Sequence, residues 1–267
     1  MAVKISVAIA TFNEEKNIKR CLDSVRQLAD EIVVIDGGSQ DKTVEIAKKC
    51  GAKVFITDNP PIFHINKQKA IDKCSGDWIL QLDADEEVSK SLKHEIIRTL
   101  KQKNRVNGFW IPRKNYFLGR WFSKGGQYPD YTLRLYRRGK GKLPCKDVHE
   151  QAEVKGKTGY LKNDLLHWAD ASFPRYLHRF NRYTDLLAKE IKDRKKKNFI
   201  LDFFQYIFIK PIHWFFLTFI RHKGFLDSWQ GFVFSFFSAL RFPVAYVKCL
   251  RIIRKFQTSK TPIIKTN

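Results

Sequence analysis

The segment "WILQLDADEEVS", residues 78–89, places four carboxylates within five positions directly after an apolar run. Like charges at such short range repel one another, so their crowding requires either solvation or a cation. A hard divalent ion such as Mg²⁺ or Mn²⁺ is held by a few carboxylates and completes its coordination with substrate phosphates. The alternative is a turn whose acids favour the start of the following helix, and Glu86 and Glu87 are assigned to that turn.

The elements that must position these acids follow an alternating pattern. "KISVAIATFN", "EIVVIDGGSQD", "AKVFITD" and "DWILQLDADEE" have the apolar runs of buried parallel strands, and helical spacing separates them. This order predicts a doubly wound α/β domain, in which ligands bind at the carboxyl ends of the strands. Polar residues at three such ends, 11–15, 36–39 and 83–86, are therefore expected to converge on one rim.

The pattern changes from about residue 107, where strands and turns follow one another, and helical periodicity resumes in "PRYLHRFNRYTDLLAKEIKD". After "RKKKN" the chain becomes crowded with Phe, Trp and Tyr. We therefore divide it into an α/β domain, residues 1–193, and a helical tail, residues 194–267.

The formal net charge of +23 indicates an anionic partner, and residues 194–267 alone contribute +12. No RNA- or DNA-binding module is present, so nucleic acid is not the expected partner. Charged residues and prolines interrupt the tail before about 18 apolar residues accumulate. Amphipathic helices lying in an anionic bilayer surface are the preferred interpretation, and a helical subdomain packed on the first domain is the alternative.

Five widely spaced cysteines without a CxxC pair argue against a disulfide framework and a zinc site. The N-terminus begins directly with a strand pattern and shows no secretory signal. These features favour a reducing compartment, and with the basic tail they predict a peripheral protein on a cytoplasmic membrane surface.

Four segments, "SVAIATFNEEKNI", "VVIDGGSQDKT", "GDWILQLDADEE" and "YPDYTLRLYRRG", occur together in this order. Their order and spacing resemble glycosyltransferase family 2, with the GT-A fold, over roughly residues 3–190. With "DVHE" and "KGFLDSWQGF", the chain most resembles the branch that includes lipopolysaccharide-core β-glucosyltransferases. The resemblance implies an inverting, metal-dependent hexosyltransferase with a UDP-sugar donor.

The resemblance also implies residues that bind the donor. The loop after the first strand would contact the nucleoside, and the acid after the second strand would contact the base or ribose, although many relatives carry a second acid where this chain has Gly37. The implied donor-binding residues of this rim are Thr11, Asn13, Glu14, Asp36, Lys67 and Asp83. An ordinary surface or capping role is the alternative for most of them.

The metal ion, Mg²⁺ or Mn²⁺, would be held by Asp85 and by His149 of "DVHE", with His167 of "LLHWAD" as the rival ligand. Asp130 matches the aspartate that takes the proton of the acceptor hydroxyl. The residue before it is Pro129, where the family motif usually has Glu, and Glu150 is an alternative base.

Arg179 and Arg182 share one face of a predicted helix with Tyr183 close by, a pattern suited to a diphosphate or an anionic acceptor. Solvated surface charge is the alternative. The expected reaction moves a hexose such as glucose from UDP to a membrane glycolipid such as lipopolysaccharide core. Two other functions stay open: transfer to a polyprenyl phosphate or another envelope polymer, and binding at the membrane without catalysis.

Overall fold

The structure is a computed structural model that describes residues 3–102, 105–146, 150–170, 172–194 and 198–258. The chain divides into two units, one of residues 1–115 and 129–169 and one of residues 116–128 and 170–267. The strands are β1 Ile5–Thr11, β2 Glu31–Asp36, β3 Lys53–Ile56, β4 Trp78–Asp83, β5 Glu86–Val88, β6 Gly108–Phe117, β7 Arg120–Trp121, β8 Asp130–Arg137, β9 Gly141–Lys142, β10 Glu153–Val154, β11 Thr158–Tyr160 and β12 Leu165–Asp170. The helices are α1 Ile18–Val25, α2 Thr43–Lys49, α3 His64–Asp72, α4 Lys90–Lys101, α5 Phe173–Asp193, α6 Phe199–Phe204, α7 Lys210–Phe216 and α8 Ser228–Thr258.

The main sheet has the order β3-β2-β1-β4-β8-β6-β12-β5. It is parallel from β3 to β4, and β8 then joins antiparallel to both β4 and β6. The connections within the parallel part run through helices, as parallel strands require. The expected class, an α/β domain with a mixed, mainly parallel sheet of the GT-A kind, is confirmed.

Both faces of β1, β2 and β4 are buried along most of their length, which explains why their sequences are almost wholly apolar, whereas β3 lies at the edge of the sheet and is largely exposed. Along β1, Val7 and Ile9 pack in a core with α1 and α4, whereas Ala8 between them belongs to a second core with Ala70 and Ile71 of α3. Since side chains alternate between the two faces of a strand, one apolar run supplies both cores.

Register places the predicted polar ends at one edge of the sheet. Thr11 lies opposite Asp36 at the ends of β1 and β2, and Ala10 lies opposite Asp83 at the end of β4. The expected convergence of these three strand ends is therefore confirmed.

In the second unit, α5 packs against α8 around a core that includes Ala188, Ile191, Tyr206 and Tyr246. The helix that contains α6 and α7 includes π-helical turns over Gln205–Ile209 and Leu217–Arg221. Asp227 is buried in a short 3-10 turn, Gly224–Asp227, and accepts hydrogen bonds from the backbone and hydroxyl of Ser123 and from the backbone of Lys124.

Two helical stretches of this unit, Phe199–Arg221 and Gly224–Arg254, have the length and apolar composition needed to cross a membrane. Of the apolar window in each, 11% and 39% of the residues are buried. Pro211 lies in the first turn of α7 and Pro243 lies inside α8, and both helices continue past them. Proline and charge therefore interrupt the tail less than the sequence indicated.

Candidate active site

Asp83 lies at the end of β4 and is held between two cations. One of its oxygens pairs with Lys67 of α3, and the other accepts a hydrogen bond from Arg134 of β8 at 2.7 Å. Arg134 also donates to Gln81 at 2.6 Å. Burial alone would raise the pKa of Asp83, but Arg134 and Lys67 outweigh it and hold that pKa well below its usual value. The predicted donor-binding pair Lys67 and Asp83 is thus brought together as an ion pair.

Glu86 belongs to the same buried cluster. Its side chain is fully buried in β5, and it accepts hydrogen bonds from Arg134 at 2.7 Å and from Arg113 at 3.4 Å. The assignment of Glu86 and Glu87 to a helix start is wrong. Strand β5 comes first, and α4 begins at Lys90 with Ser89 as its N-cap. Glu87 instead accepts a hydrogen bond from the indole of Trp168.

Asp130, the predicted base, begins β8 directly opposite Arg113 of β6. Its Oδ2 accepts two hydrogen bonds from Arg113, at 2.9 and 2.7 Å, and one from Asn115 at 3.1 Å. Burial would raise the pKa of Asp130, but Arg113 and Asn115 outweigh it and hold that pKa below its usual value. The carboxylate is therefore ionised at neutral pH, with its orientation fixed through one oxygen.

His167 on β12 lies next to Asp85. Its Nδ1 is 2.6 Å from Oδ1 of Asn115, and its Nε2 is 3.7 Å from Oδ1 of Asp85. The amide of Asn115 donates to Asp130, so its oxygen faces His167 and accepts a hydrogen bond from Nδ1–H. Burial lowers the pKa of His167, and the ring is therefore neutral at neutral pH with the lone pair of Nε2 towards Asp85.

This donor set fits a divalent ion. Two acceptors, the Nε2 lone pair and a carboxylate oxygen, face each other, and a ligating histidine is ordinarily fixed by a hydrogen bond at its other nitrogen, as Asn115 provides here. No group of three or more His, Cys, Asp and Glu side chains gathers at one point in the described part of the chain. An ion held by Asp85 and His167 would therefore depend on further ligands, such as phosphate oxygens.

The predicted ligand His149 lies outside the described residues, so its role stays a prediction. Glu150, the alternative base, accepts hydrogen bonds from the backbone of Lys146. It lies 4.0 Å from the ring of His64 rather than with the Asp130 group.

The loops after β1 and β2 are tied together by the predicted donor-binding residues. Asp36 is fully buried and accepts hydrogen bonds from the backbones of Gly38 and Ser39. Asn13, whose φ is 54°, accepts a hydrogen bond from the backbone of Gln40 and donates its own backbone N–H to Ser39. These hydrogen bonds fix the conformation of the two loops at the rim. Contact of these side chains with a donor stays a prediction.

Two further predicted donor-binding residues of the first unit lie beside them. The buried hydroxyl of Thr11 has no hydrogen-bond partner within the described structure. Glu14 accepts a hydrogen bond from Asn17, and its backbone N–H donates to Thr43. Arg179 and Arg182 lie on α5 in the second unit, and their donor-binding role stays a prediction.

A sequence profile described as "Glycosyl transferase family 2" matches residues 6–152, more than half of the chain. The chain belongs to glycosyltransferase family 2. The four parallel strands, apart from the first residue of β1, fall within the matched region, as do Asp83 at the end of β4 and Asp130 of β8.

Several curated proteins resemble this family member along most of its length. The lipopolysaccharide core biosynthesis glycosyltransferase LpsC of Rhizobium meliloti is 28% identical over 89% of this chain and 91% of its own. An uncharacterized glycosyltransferase of Rickettsia conorii is 30% identical over 96% of this chain and 91% of its own. Among solved structures, glucosyl-3-phosphoglycerate synthase of Mycobacterium tuberculosis in complex with Mn²⁺ and UDP-glucose matches with a TM-score of 0.36, 25% identity and 44% coverage of each chain.

The glycosyltransferase site contains residues that sequence reasoning missed. The sequence patterns did not indicate Gln81, Arg113, Asn115 or Arg134, although Gln81 interrupts the apolar run of β4 and Arg134 stands between two buried leucines of β8. A polar residue at an inward position of a buried strand must find a partner, so this interruption was an available signal. Arg113 and Asn115 gave no such signal, because "PRKNY" reads as an exposed stretch.

Proposed function

We propose that this glycosyltransferase moves a hexose from a UDP-sugar to the hydroxyl of a membrane glycolipid such as lipopolysaccharide core, with inversion at the anomeric carbon. The observation that carries the proposal is the state of Asp130. The carboxylate is ionised at neutral pH and fixed by Arg113 and Asn115 through Oδ2, and among the described residues no hydrogen-bond donor occupies its Oδ1. That arrangement suits a general base.

In the proposed reaction, Oδ1 of Asp130 takes the proton of the acceptor hydroxyl while the hydroxyl oxygen bonds to the anomeric carbon. The bond from that carbon to the UDP oxygen breaks on the opposite side, which inverts the configuration. Asp83, held by Lys67 and Arg134, is fixed to accept hydrogen bonds from the ribose or the sugar.

Metal dependence is part of the proposal, and Asp85 and His167 are the described residues that would hold Mg²⁺ or Mn²⁺. When bound, the ion supplies positive charge that stabilises the leaving diphosphate. Asn115 contributes by fixing the ring of His167. It also donates a hydrogen bond to the base, Asp130, and so connects the two side chains.

The acceptor class is supported by the similarity to LpsC, whose name places that relative in lipopolysaccharide core biosynthesis. Association with the cytoplasmic face of the inner membrane is proposed on the second unit. Its helices carry many large apolar side chains that are at least 40% exposed, and basic residues accompany them, as a bilayer with anionic headgroups would require.

The test is UDP release from a panel of UDP-sugars, with Mn²⁺ or Mg²⁺ and a lipopolysaccharide-core acceptor, confirmed by the mass shift of the product. Asp130→Asn should lower kcat by about 100-fold or more, the size of a general-base contribution. Asp164→Asn, which removes the partner of Lys114 in the same unit, is the matched control and should retain activity. Turnover undiminished in Asp130→Asn would contradict the assigned base, and the absence of turnover with every UDP-sugar would contradict the function.

A further inference from the structure

We infer that Glu86 is a positioning residue that links the donor-binding acid Asp83 to the base Asp130 through the two arginines Arg134 and Arg113. The inference rests on the proposed function, because Asp130 acts as a base only if the enzyme transfers a sugar to a hydroxyl. It adds to that function a residue that touches neither reactant.

The geometry of Glu86 carries the first step. Its side chain has no exposed surface, and its Oε1 accepts from Arg134 at 2.7 Å and from Arg113 at 3.4 Å. Its Oε2 accepts from the backbone N–H of Asp83 at 2.9 Å. One carboxylate therefore fixes both the backbone of Asp83 and the arginine that binds the Asp83 side chain.

The second step concerns the orientation of Asp130. Arg113 uses Nε and one terminal nitrogen for Oδ2 of Asp130, and its other terminal nitrogen is directed at Glu86. A planar guanidinium has a fixed fork of donors, so an interaction at one nitrogen orients the others. Glu86 thereby sets the angle at which Arg113 presents the base.

The third step is the charge balance of the cluster. Three acids, Asp83, Glu86 and Asp130, are interleaved with three bases, Lys67, Arg113 and Arg134. Glu86 is the acid that both arginines share. Replacing Glu86 by Gln keeps the shape of the side chain but removes its negative charge. Arg113 and Arg134 are then neutralised by fewer carboxylates, so each interacts more strongly with its remaining acid.

The experiment compares Glu86→Gln, Arg113→Lys and Arg134→Lys in the full chain, with UDP and Mn²⁺ as the binding probe and transfer to the acceptor as the catalytic readout. Arg113→Lys should lower kcat for transfer by about tenfold or more and leave the Kd of UDP within about twofold, since the guanidinium that it removes binds Asp130 and Glu86 but not Asp83. Arg134→Lys should mainly weaken UDP binding. Glu86→Gln should change both quantities.

Lys114→Met is the matched control, because it breaks the ion pair with Asp164 from the same strand as Arg113. It should change neither quantity. The inference is overturned if Glu86→Gln leaves both kcat and the Kd of UDP within about twofold of wild type, or if Arg113→Lys weakens UDP binding as much as Arg134→Lys does.

A second readout needs no turnover and therefore separates this inference from the proposed function. The carboxyl pKa of Asp130, which faces Arg113 from β6 and His167 from β12, can be followed by NMR of labelled aspartate. Arg113→Met should raise that pKa and Glu86→Gln should lower it. Variants that unfold are recognised by thermal unfolding, and shifts of the same sign in two folded variants would overturn the coupling. If wild-type enzyme releases no UDP while the opposite shifts are observed, the proposed function fails and the linkage stands.

Discussion

At the scale of single residues, the site depends on bridging side chains more than on the acids that first draw attention. Asn115 contacts both Asp130 and His167, and Glu86 contacts both Arg113 and Arg134. Each of these bridging side chains fixes the orientation of its partners. Proton transfer and ion binding both need the participating atoms to be positioned to well within about an ångström. In the proposed reaction, residues that touch neither reactant would therefore set the orientation of the reacting groups.

The identity of the histidine ligand can be decided by metal titration. His167→Ala should raise the Mn²⁺ concentration that gives half-maximal activity by at least the roughly 10- to 100-fold that loss of an outer partner causes. His149→Ala is measured in parallel as the rival. A larger rise for His149→Ala than for His167→Ala would contradict the assignment of His167.

At the scale of elements, hydrogen bonds, ion pairs and close backbone contacts fix the positions of strands and turns. Glu31 at the start of β2 accepts hydrogen bonds from Ser6 of β1, Lys53 of β3 and Ser75 before β4. One carboxylate thus joins four neighbouring segments at the edge of the sheet opposite the candidate active site.

This carboxylate predicts a pH dependence of stability. Burial opposes ionisation of Glu31, but the hydrogen bonds from Lys53, Ser75 and Ser6 outweigh it and lower its pKa to about 2. Because the pKa of Glu31 is lower in the folded state than in the unfolded state, its ionisation stabilises the protein above about pH 4.5. This contribution to the free energy of unfolding is lost as the pH falls towards 2. Glu31→Gln should therefore lower the free energy of unfolding at pH 7, by at most about 3 kcal/mol.

The measurement is urea unfolding of wild type and Glu31→Gln at several pH values between 7 and 3. The difference between them should shrink as the pH falls. Glu45→Gln, which breaks an exposed pair with Lys49, is the control and should have a smaller effect at every pH. A difference that is constant with pH would contradict the account of Glu31.

In the second unit, a close approach of backbone makes a glycine necessary at the start of α8. A Cβ on Gly231 would lie 1.8 Å from the carbonyl oxygen of Gly224. Gly231→Ala should therefore displace the Gly224–Asp227 turn and destabilise the protein by roughly 2 kcal/mol or more, as overpacking does. Thermal unfolding is the measurement, with Val247→Ala, an exposed position of the same helix, as the control. Equal unfolding temperatures for the two variants would show that the turn yields without cost.

At the scale of the whole molecule, charge and apolar surface are unevenly distributed along the sequence. About half of the net positive charge falls in residues 194–267, where the exposed Phe, Ile, Leu and Trp residues are also concentrated. Large exposed apolar side chains in such number are typical of an interaction site. With basic residues alongside, the surface suits a bilayer of anionic lipid.

Vesicle flotation tests this proposal without deleting a packed helix. Ile209→Glu with Phe216→Glu, at positions 63% and 58% exposed, should abolish flotation with vesicles that contain phosphatidylglycerol. Ile56→Glu, at a position of the first unit that is 65% exposed, is the matched control and should float like wild type. Unchanged flotation of the double variant would contradict the assignment of this surface to the membrane.

The sequence by itself determined the class of the domain, the family and the acids at the strand ends. Apolar runs separated by helical patterns specify a parallel sheet, and the carboxyl ends of its strands meet at one edge, so Asp36 and Asp83 could be placed together in advance. These inferences need only local periodicity and the order of motifs along the chain.

Only the tertiary structure decided how the charges pair. Glu86 and Glu87 looked like helix-start residues, because their neighbours in sequence are acids and a helix follows. Their partners Arg113, Arg134 and Trp168 come from β6, β8 and β12, at least 27 positions away. His167 likewise reaches Asp85 through the antiparallel pairing of β12 with β5. Strand pairing across the sheet brings such residues together. Local periodicity predicts that a segment is a strand, but it does not predict which distant strand will pair with it.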